Sequence, residues 1–198
     1  MKSTIEMVSL KDVAEIKFCI VGTVERKNQS EKTKWLTAAH LLNDNIITEV
    51  SEDDKYKKDE ALQVFKNDII IKRISPAYIT YVNNDLPDTY AYNNLIIVRS
   101  KDINEKYLAS VLSYEIQELS INASVGAVMP SIGRTELEGL KIPICSSKEQ
   151  VLIGEIWFKS IEKKKMLKRL ADLENTREIY LINKFIKNNI GGKNYDII

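Results

Sequence analysis

Residues 146–189 read SSKEQVLIGEIWFKSIEKKKMLKRLADLENTREIYLINKFIKNN, and how this stretch folds decides the architecture. Ser146 followed three positions later by Glu149 is a capping box, the signature of a helix N-terminus. Pro143 stands just upstream and Gly191-Gly192 just downstream, so stop signals bound both ends. Inside there is no proline, and Gly154 is the one glycine. The stretch predicts a single helix. About 40 residues rising 1.5 Å each reach on the order of 60 Å, far more than one compact domain needs. Such a helix must lean on another domain or on a second copy of itself.

Its apolar positions fit that expectation, untidily. Leu152, Ile156, Met166, Leu170, Leu173 and Tyr180 follow one seam at alternating steps of three and four, which Lys159, Lys163 and Arg177 interrupt. Ile153, Trp157, Ile161, Leu167, Leu181 and Phe185 widen the apolar face. The pattern falls short of sustained heptads. Two readings stay open: an amphipathic helix packed on its own domain, or one that pairs with a partner helix. For the second, the partner face is Leu152, Ile156, Trp157, Met166, Leu170, Leu173 and Tyr180.

With 198 residues and 44% apolar content, the chain can build one ordinary domain plus an extension. The net charge of +1 carries no nucleic-acid signature, but it is unevenly spread. Residues 1–145 hold 18 Lys and Arg against 21 Asp and Glu, a balance of −3; residues 146–198 hold 11 against 7, a balance of +4. Lys159, Lys163, Lys164, Lys165, Lys168 and Arg169 form the basic run, either a solvated helix face or a surface for phosphates or an acidic partner. Cys19 and Cys145 have neither metal-ligand spacing nor a disulfide framework, which suits a reducing, cytoplasmic setting. The first residues lack the apolar run of a signal peptide, and no apolar stretch approaches the 18 or so residues that span a bilayer.

Upstream of the helix the pattern is mixed. Residues 10–16 read as a short amphipathic element leading into a strand at Phe18-Cys19-Ile20-Val21-Gly22. Residues 25–34 and 51–60 are charged and aperiodic, hence loops. Order resumes at Trp35, with a helical turn over residues 38–43, a strand over 46–50 and an apolar segment over 62–65. Lys66-Asn67-Asp68 is a turn, and Ile69-Ile70-Ile71, β-branched and continuous, predicts a strand buried on both faces. Residues 78–82 and 95–99 predict two more strands separated by a turn at 83–88. Tyr107, Leu108, Val111, Leu112, Ile116 and Leu119 recur at helical spacing. A loop over 121–126, a short helix after Pro130 and a last strand over 140–144 complete the domain. The expected fold is α+β: a mixed α/β domain over residues 1–145, a long coiled-coil-type C-terminal helix over 146–190, and a flexible tail over 191–198.

Little catalytic chemistry is legible. There is no phosphate-binding glycine loop and no dinucleotide fingerprint. His40 is the sole histidine. Asp53-Asp54 lies in a charged loop without a nameable partner. Asp12 with Glu15-Ile16-Lys17 echoes a nuclease acid cluster, but the spacing is too short to place one acid on a separate strand. No cofactor, no metal and no independent enzymatic activity are expected.

Gly126, Pro130-Ser131-Ile132, Leu137, Leu140-Lys141-Ile142-Pro143 and Glu149-Gln150, in that order before a long helix, resemble the specificity subunit of type I restriction–modification systems. Residues 10–16 resemble the family's opening segment, Asn67-Asp68-Ile69-Ile70-Ile71 its Gly-Asp-hydrophobic strand, and residues 95–99 with Tyr107-Leu108 the strand and helix that follow. Asn67 stands where the family has glycine, Cys145-Ser146-Ser147 replaces its second proline-rich piece, and Cys19 to Gly22 departs from its early glycine. The resemblance implies a non-catalytic DNA specificity subunit whose target recognition domain reads bases while methyltransferase subunits, docked on the helix, do the chemistry. Members usually carry two recognition domains and two spacer helices. One of each implies a half-subunit, working as a homodimer or paired with another half-subunit on a bipartite double-stranded target. Restriction subunits are a further possible partner.

Base readout needs hydrogen-bonding loop side chains. The candidates are Lys27, Asn28, Gln29, Ser30, Lys32 and Lys34; Lys72, Arg73 and Tyr78; Asn93 and Asn94; and Ser124, Ser131 and Arg134. The rival reading is a dimerising scaffold or decoy that binds modification subunits without reading DNA.

Overall fold

The computed structural model describes residues 5–19, 34–41, 46–47, 62–123 and 130–190. The loops expected over 25–34 and 51–60, apart from Lys34, and the tail over 191–198 lie outside them. In chain order the elements are β1 (Glu6–Ser9), α1 (Leu10–Val13), β2 (Ala14–Phe18), β3 (Lys34–Leu36), β4 (Ile46–Ile47), β5 (Leu62–Gln63), β6 (Ile69–Lys72), β7 (Tyr78–Val82), β8 (Thr89–Ala91), β9 (Leu95–Ser100), α2 (Glu105–Ala123), α3 (Arg134–Gly139), β10 (Lys141–Ile144) and α4 (Ser147–Ile190). The fold is α+β, as expected. The chain divides into two compact units, Met1–Ile161 and Glu162–Ile198. That boundary falls inside α4, not at residue 145: the first turns of the helix belong to the first unit.

The three isoleucines settle the centre of that unit. β6 pairs antiparallel with both β7 and β9 in a five-stranded sheet of order β2-β9-β6-β7-β4. Side chains alternate across a strand, so Ile69 and Ile71 enter one core and Ile70 the other. The first core gathers Ile79, Tyr81, Ile96 and Val98 from the sheet, Leu108, Leu112 and Ile116 from α2, and Phe158 and Ile161 from α4. The second gathers Ile70, Val82, Leu95 and Ile97 from the sheet with Leu36 and Ala91 from a small sheet of order β3-β8-β5. Central strands buried on both faces read as continuous apolar runs, which is why these three were legible.

β1 and β8 were not. Among the described residues β1 pairs only with β10, placing Met7 opposite Pro143, where a proline costs no ladder bond on an edge. β8 follows the expected turn at 83–88, over residues to which the sequence pattern assigns no element, and is held parallel to β3 and antiparallel to β5. Two further bounds moved. The strand expected at Phe18 begins at Ala14, and α2 runs through Ala123, past the expected loop start at 121.

One end of β6 is fixed electrostatically. Asp68, 2% exposed, accepts from Arg99 Nε at 2.7 Å and Nη2 at 3.0 Å, and from the Phe65 backbone N–H at 2.8 Å. Arg99 Nη2 also donates to the Gln63 carbonyl at 2.7 Å. Asn67, with φ of 70°, takes the left-handed turn that asparagine tolerates.

The start of α4 is fixed twice. The capping box forms: Glu149 Oε2 accepts from the Ser146 backbone N–H at 2.9 Å, and Ser146 Oγ from Glu149 N–H at 3.4 Å. Gln150, buried, accepts from the Asn104 N–H at 2.9 Å and donates to the Cys145 carbonyl at 2.9 Å, tying α4 to the entry of α2 and the end of β10. Asn104 in turn caps α2 through Tyr107 N–H at 2.9 Å. At Gly154 the two helices touch: an added Cβ would sit 2.8 Å from the Tyr107 backbone nitrogen. We expect Gly154→Ala to lower the stability of the chain by about 1–3 kcal/mol, the usual cost of forcing a methyl into a packed contact. Asp68→Ala leaves Arg99 without its carboxylate and costs about 3 kcal/mol or more. Urea unfolding followed by circular dichroism measures both, and a loss below about 0.5 kcal/mol in either variant contradicts the packing described.

Candidate nucleic-acid interface

At the opposite end of β6 from Asp68, three strand ends meet. The register sets Lys72 of β6 opposite Leu95 of β9, and Phe18 of β2 opposite Ile96. Beyond them the backbone stays paired. Arg73 N–H donates to the Asn94 carbonyl at 2.9 Å, and Cys19 N–H to the Leu95 carbonyl at 3.0 Å. Ile132 N–H donates to the Arg73 carbonyl at 3.1 Å, Ser75 N–H to the Pro130 carbonyl at 3.0 Å, and Ile74 bridges to Ser131. The segment before α3 is thereby laid against the end of β6, and Asn94 holds a left-handed φ of 67° in the turn between β8 and β9.

This pairing brings candidates from three distant stretches together. Lys72 Nζ donates to the Pro76 carbonyl at 3.1 Å and lies 5.3 Å from the Tyr78 ring centroid. The Tyr78 hydroxyl donates to the Leu41 carbonyl, and burial pushes its pKa up, so it remains a donor. Asn93 and Asn94 share a turn, Asn94 exposed. Ser131 and Arg134 are exposed on the segment laid alongside. Lys34 is elsewhere, at the start of β3 opposite Thr89. Lys27, Asn28, Gln29, Ser30, Lys32 and Ser124 lie outside the described residues.

Sequence reasoning missed Phe18 here. It reads as a strand core residue, yet its ring carries the Arg134 guanidinium at 4.3 Å and the Arg73 guanidinium at 5.7 Å. Nothing in a linear pattern links residues 18, 73 and 134. Arg73 is half-buried and its Nε donates to the Ile132 carbonyl at 3.0 Å, so this arginine staples the segment in place. The neighbouring Cys19 thiol is pushed up to about 12 by burial and stays protonated at neutral pH.

The sheet end so formed carries cations, amides and hydroxyls on both its faces, Lys72 with Tyr78 beside the second core and Arg134 with Phe18 beside the first, and such groups can donate to phosphates and to base edges. Among the described residues no cluster of His, Cys, Asp and Glu could hold a metal ion. None of their helices is long and apolar enough to cross a membrane.

The expected partner face of α4 is placed as follows. Leu152 and Ile156, in the first unit, and Met166, Leu170, Leu173 and Tyr180, in the second, are each more than half exposed. Trp157 differs. It packs on its own domain, its ring edge-on to Tyr81 with centroids 6.3 Å apart and its Nε1 donating to Ser113 Oγ at 3.2 Å. The widened apolar stripe contains both inward and outward positions, and the inward set of Trp157, Phe158 and Ile161 covers the sheet.

The family model described as the type I restriction modification DNA specificity domain matches residues 2–179. No curated protein matches. Among solved structures, one from a study of complex assembly and conformational transition in a type I restriction–modification system aligns with a TM-score of 0.64 at 18% identity, over 93% of this chain and 45% of that one. The HsdS subunit from Thermoanaerobacter tengcongensis aligns with a TM-score of 0.61 at 17% identity, over 84% and 39%. The type I restriction–modification S subunit from M. genitalium aligns with a TM-score of 0.65 at 14% identity, over 95% and 47%. The chain thus spans less than half the length of each.

The two arginines on Phe18 are separable by stability. Arg73→Met removes a charge-assisted bond to a backbone carbonyl and lowers stability by about 1.5 kcal/mol. Arg134→Met, at an exposed site, changes it by less than about 0.5 kcal/mol. Thermal melts that shift equally for both variants contradict the division of roles.

Proposed function

The chain belongs to the type I restriction–modification DNA specificity family, and we propose that it reads one half of a bipartite double-stranded DNA target and docks methyltransferase subunits through α4. The observation that carries this reading is the convergence at one end of the sheet. Backbone pairing brings Lys72, Asn94, Ser131 and Arg134 to that one end. In this reading exposed amides, hydroxyls and Arg134 face base edges, Lys72 a phosphate, and Arg73 with Tyr78 hold the surface together. The chain's role is non-catalytic: it selects the site and its partners methylate it.

The outward apolar residues of α4 support a helical partner. A second copy supplies the other recognition domain, and two identical inverted halves then give a symmetric, gapped target. Restriction subunits join the same assembly when cleavage accompanies methylation.

The balance of −3 over residues 1–145 limits independent binding, because affinity for DNA of any sequence comes from counterion release by Lys and Arg. We expect the isolated chain to bind duplex DNA weakly in an electrophoretic assay and to lose it as salt rises; tight, salt-insensitive binding contradicts the reading. Methylome sequencing of cells with and without the gene provides the functional test. A symmetric gapped motif loses its methyl mark on deletion. An unchanged methylome rejects the specificity role and leaves the scaffold.

A further inference from the structure

We infer that Arg134, aimed by the Phe18 ring and paired with Glu138, recognises a G·C base pair in the target half-site; this rests on the specificity reading above. The two arginines that share Phe18 are not equivalent. Arg73 is committed through its Nε and its backbone to Ile132 and Asn94. Arg134 is 56% exposed, its guanidinium centre lies 4.3 Å from the Phe18 centroid, and its Nη1 meets Glu138 Oε1 at 3.0 Å. Its position is poor for helix stability, since a cation in a first helical turn opposes the helix dipole. Its surroundings suit recognition. A guanidinium held over an aromatic ring is restrained in place, and in the free protein one arm of its fork meets Glu138.

The chemistry of the pair is specific. A planar arginine fork donates to guanine O6 and N7 together, and a carboxylate accepts from the cytosine N4 amino group. Those two base edges are neighbours across the same pair in the major groove. Arg134 and Glu138, one helical turn apart and already 3.0 Å from each other, present the matching donor and acceptor side by side. In the free protein each satisfies the other. Exposed pairs of this spacing are weak, so a G·C edge can take the place of both partners at little cost. Lysine at residue 134 would keep the charge and lose the fork.

The test uses the full chain with methyltransferase subunits, selecting from a pool of randomised duplexes. The wild-type selection shows G·C at one position of the half-site. Arg134→Ala flattens the preference at that position alone and weakens binding to the selected sequence roughly 10- to 100-fold, the span a bidentate arginine contact supplies. Arg134→Lys does not restore it. Phe18→Leu blurs the same position while the rest of the motif persists. Glu138→Gln alters discrimination there and nowhere else. The inference is overturned if Arg134→Ala leaves the motif intact, whether binding is unchanged or weakened equally for all sequences, the latter being the behaviour of a phosphate contact. A wild-type complex that selects no motif overturns the specificity reading itself, a result separate from the variants' behaviour. The thermal melt of Arg134→Met shows independently that the domain folds without this arginine.

Discussion

Burial of Ile69, Ile70 and Ile71 on both faces of one strand is the constraint from which the first unit follows. A strand covered on both sides must lie inside a sheet and be sandwiched by two layers. One layer is α2 with α3 and the first turns of α4; the other is the small sheet. Each buried isoleucine contributes about 1.5–3 kcal/mol of transfer free energy, so the register of β6 against β7 and β9 has little freedom to slip. Both ends of β6 are therefore fixed in space. At Asp68 the end is sealed by Arg99; at Lys72 it opens onto the turn of Asn94 and the segment before α3. A rigid strand end is a suitable place from which to present side chains to a ligand.

The long helix carries two kinds of surface. In the first unit, Phe158 and Ile161 are part of the core, Trp157 packs against it, and Gly154 permits a backbone approach to α2 that no other residue allows without movement. In the second unit, nearly every described side chain is exposed, several large apolar ones among them. Helices in proteins gain most of their stability from packing of an apolar face, so those exposed residues suit a partner, as the proposed assembly requires.

Much of the fold was legible, and for identifiable reasons. β6, β7 and β9 are β-branched and continuous, α2 keeps a clear helical period, and Ser146 with Glu149 marks the start of α4 by a purely local device. What stayed hidden depends on residues far apart in sequence. β8 is a strand because β3 and β5 flank it, and three residues, Thr89-Tyr90-Ala91, are too few to show a strand pattern although threonine and tyrosine favour one. Gln150 was legible as a motif but not as a clamp, because its partner Asn104 is 46 positions away. The candidate interface was found in pieces: Lys72, Asn94, Ser131 and Arg134 were selected as loop donors, while the pairing that unites them is a property of the sheet end. Phe18 escaped because an aromatic at the end of a strand looks like core until arginines are seen lying on it. Trp157 was assigned outward because a wide apolar stripe does not say which of its edges faces home.

The central claim is that the Lys72 end of the sheet, not the Asp68 end, meets DNA. Ser131→Cys and Lys101→Cys, each carrying a short photocrosslinker on the thiol in a background lacking the two native cysteines, place one probe at each end. On target duplex with methyltransferase subunits present, the account predicts cross-links to bases from residue 131 and none from residue 101. Cross-links from residue 101 with none from residue 131 would contradict it.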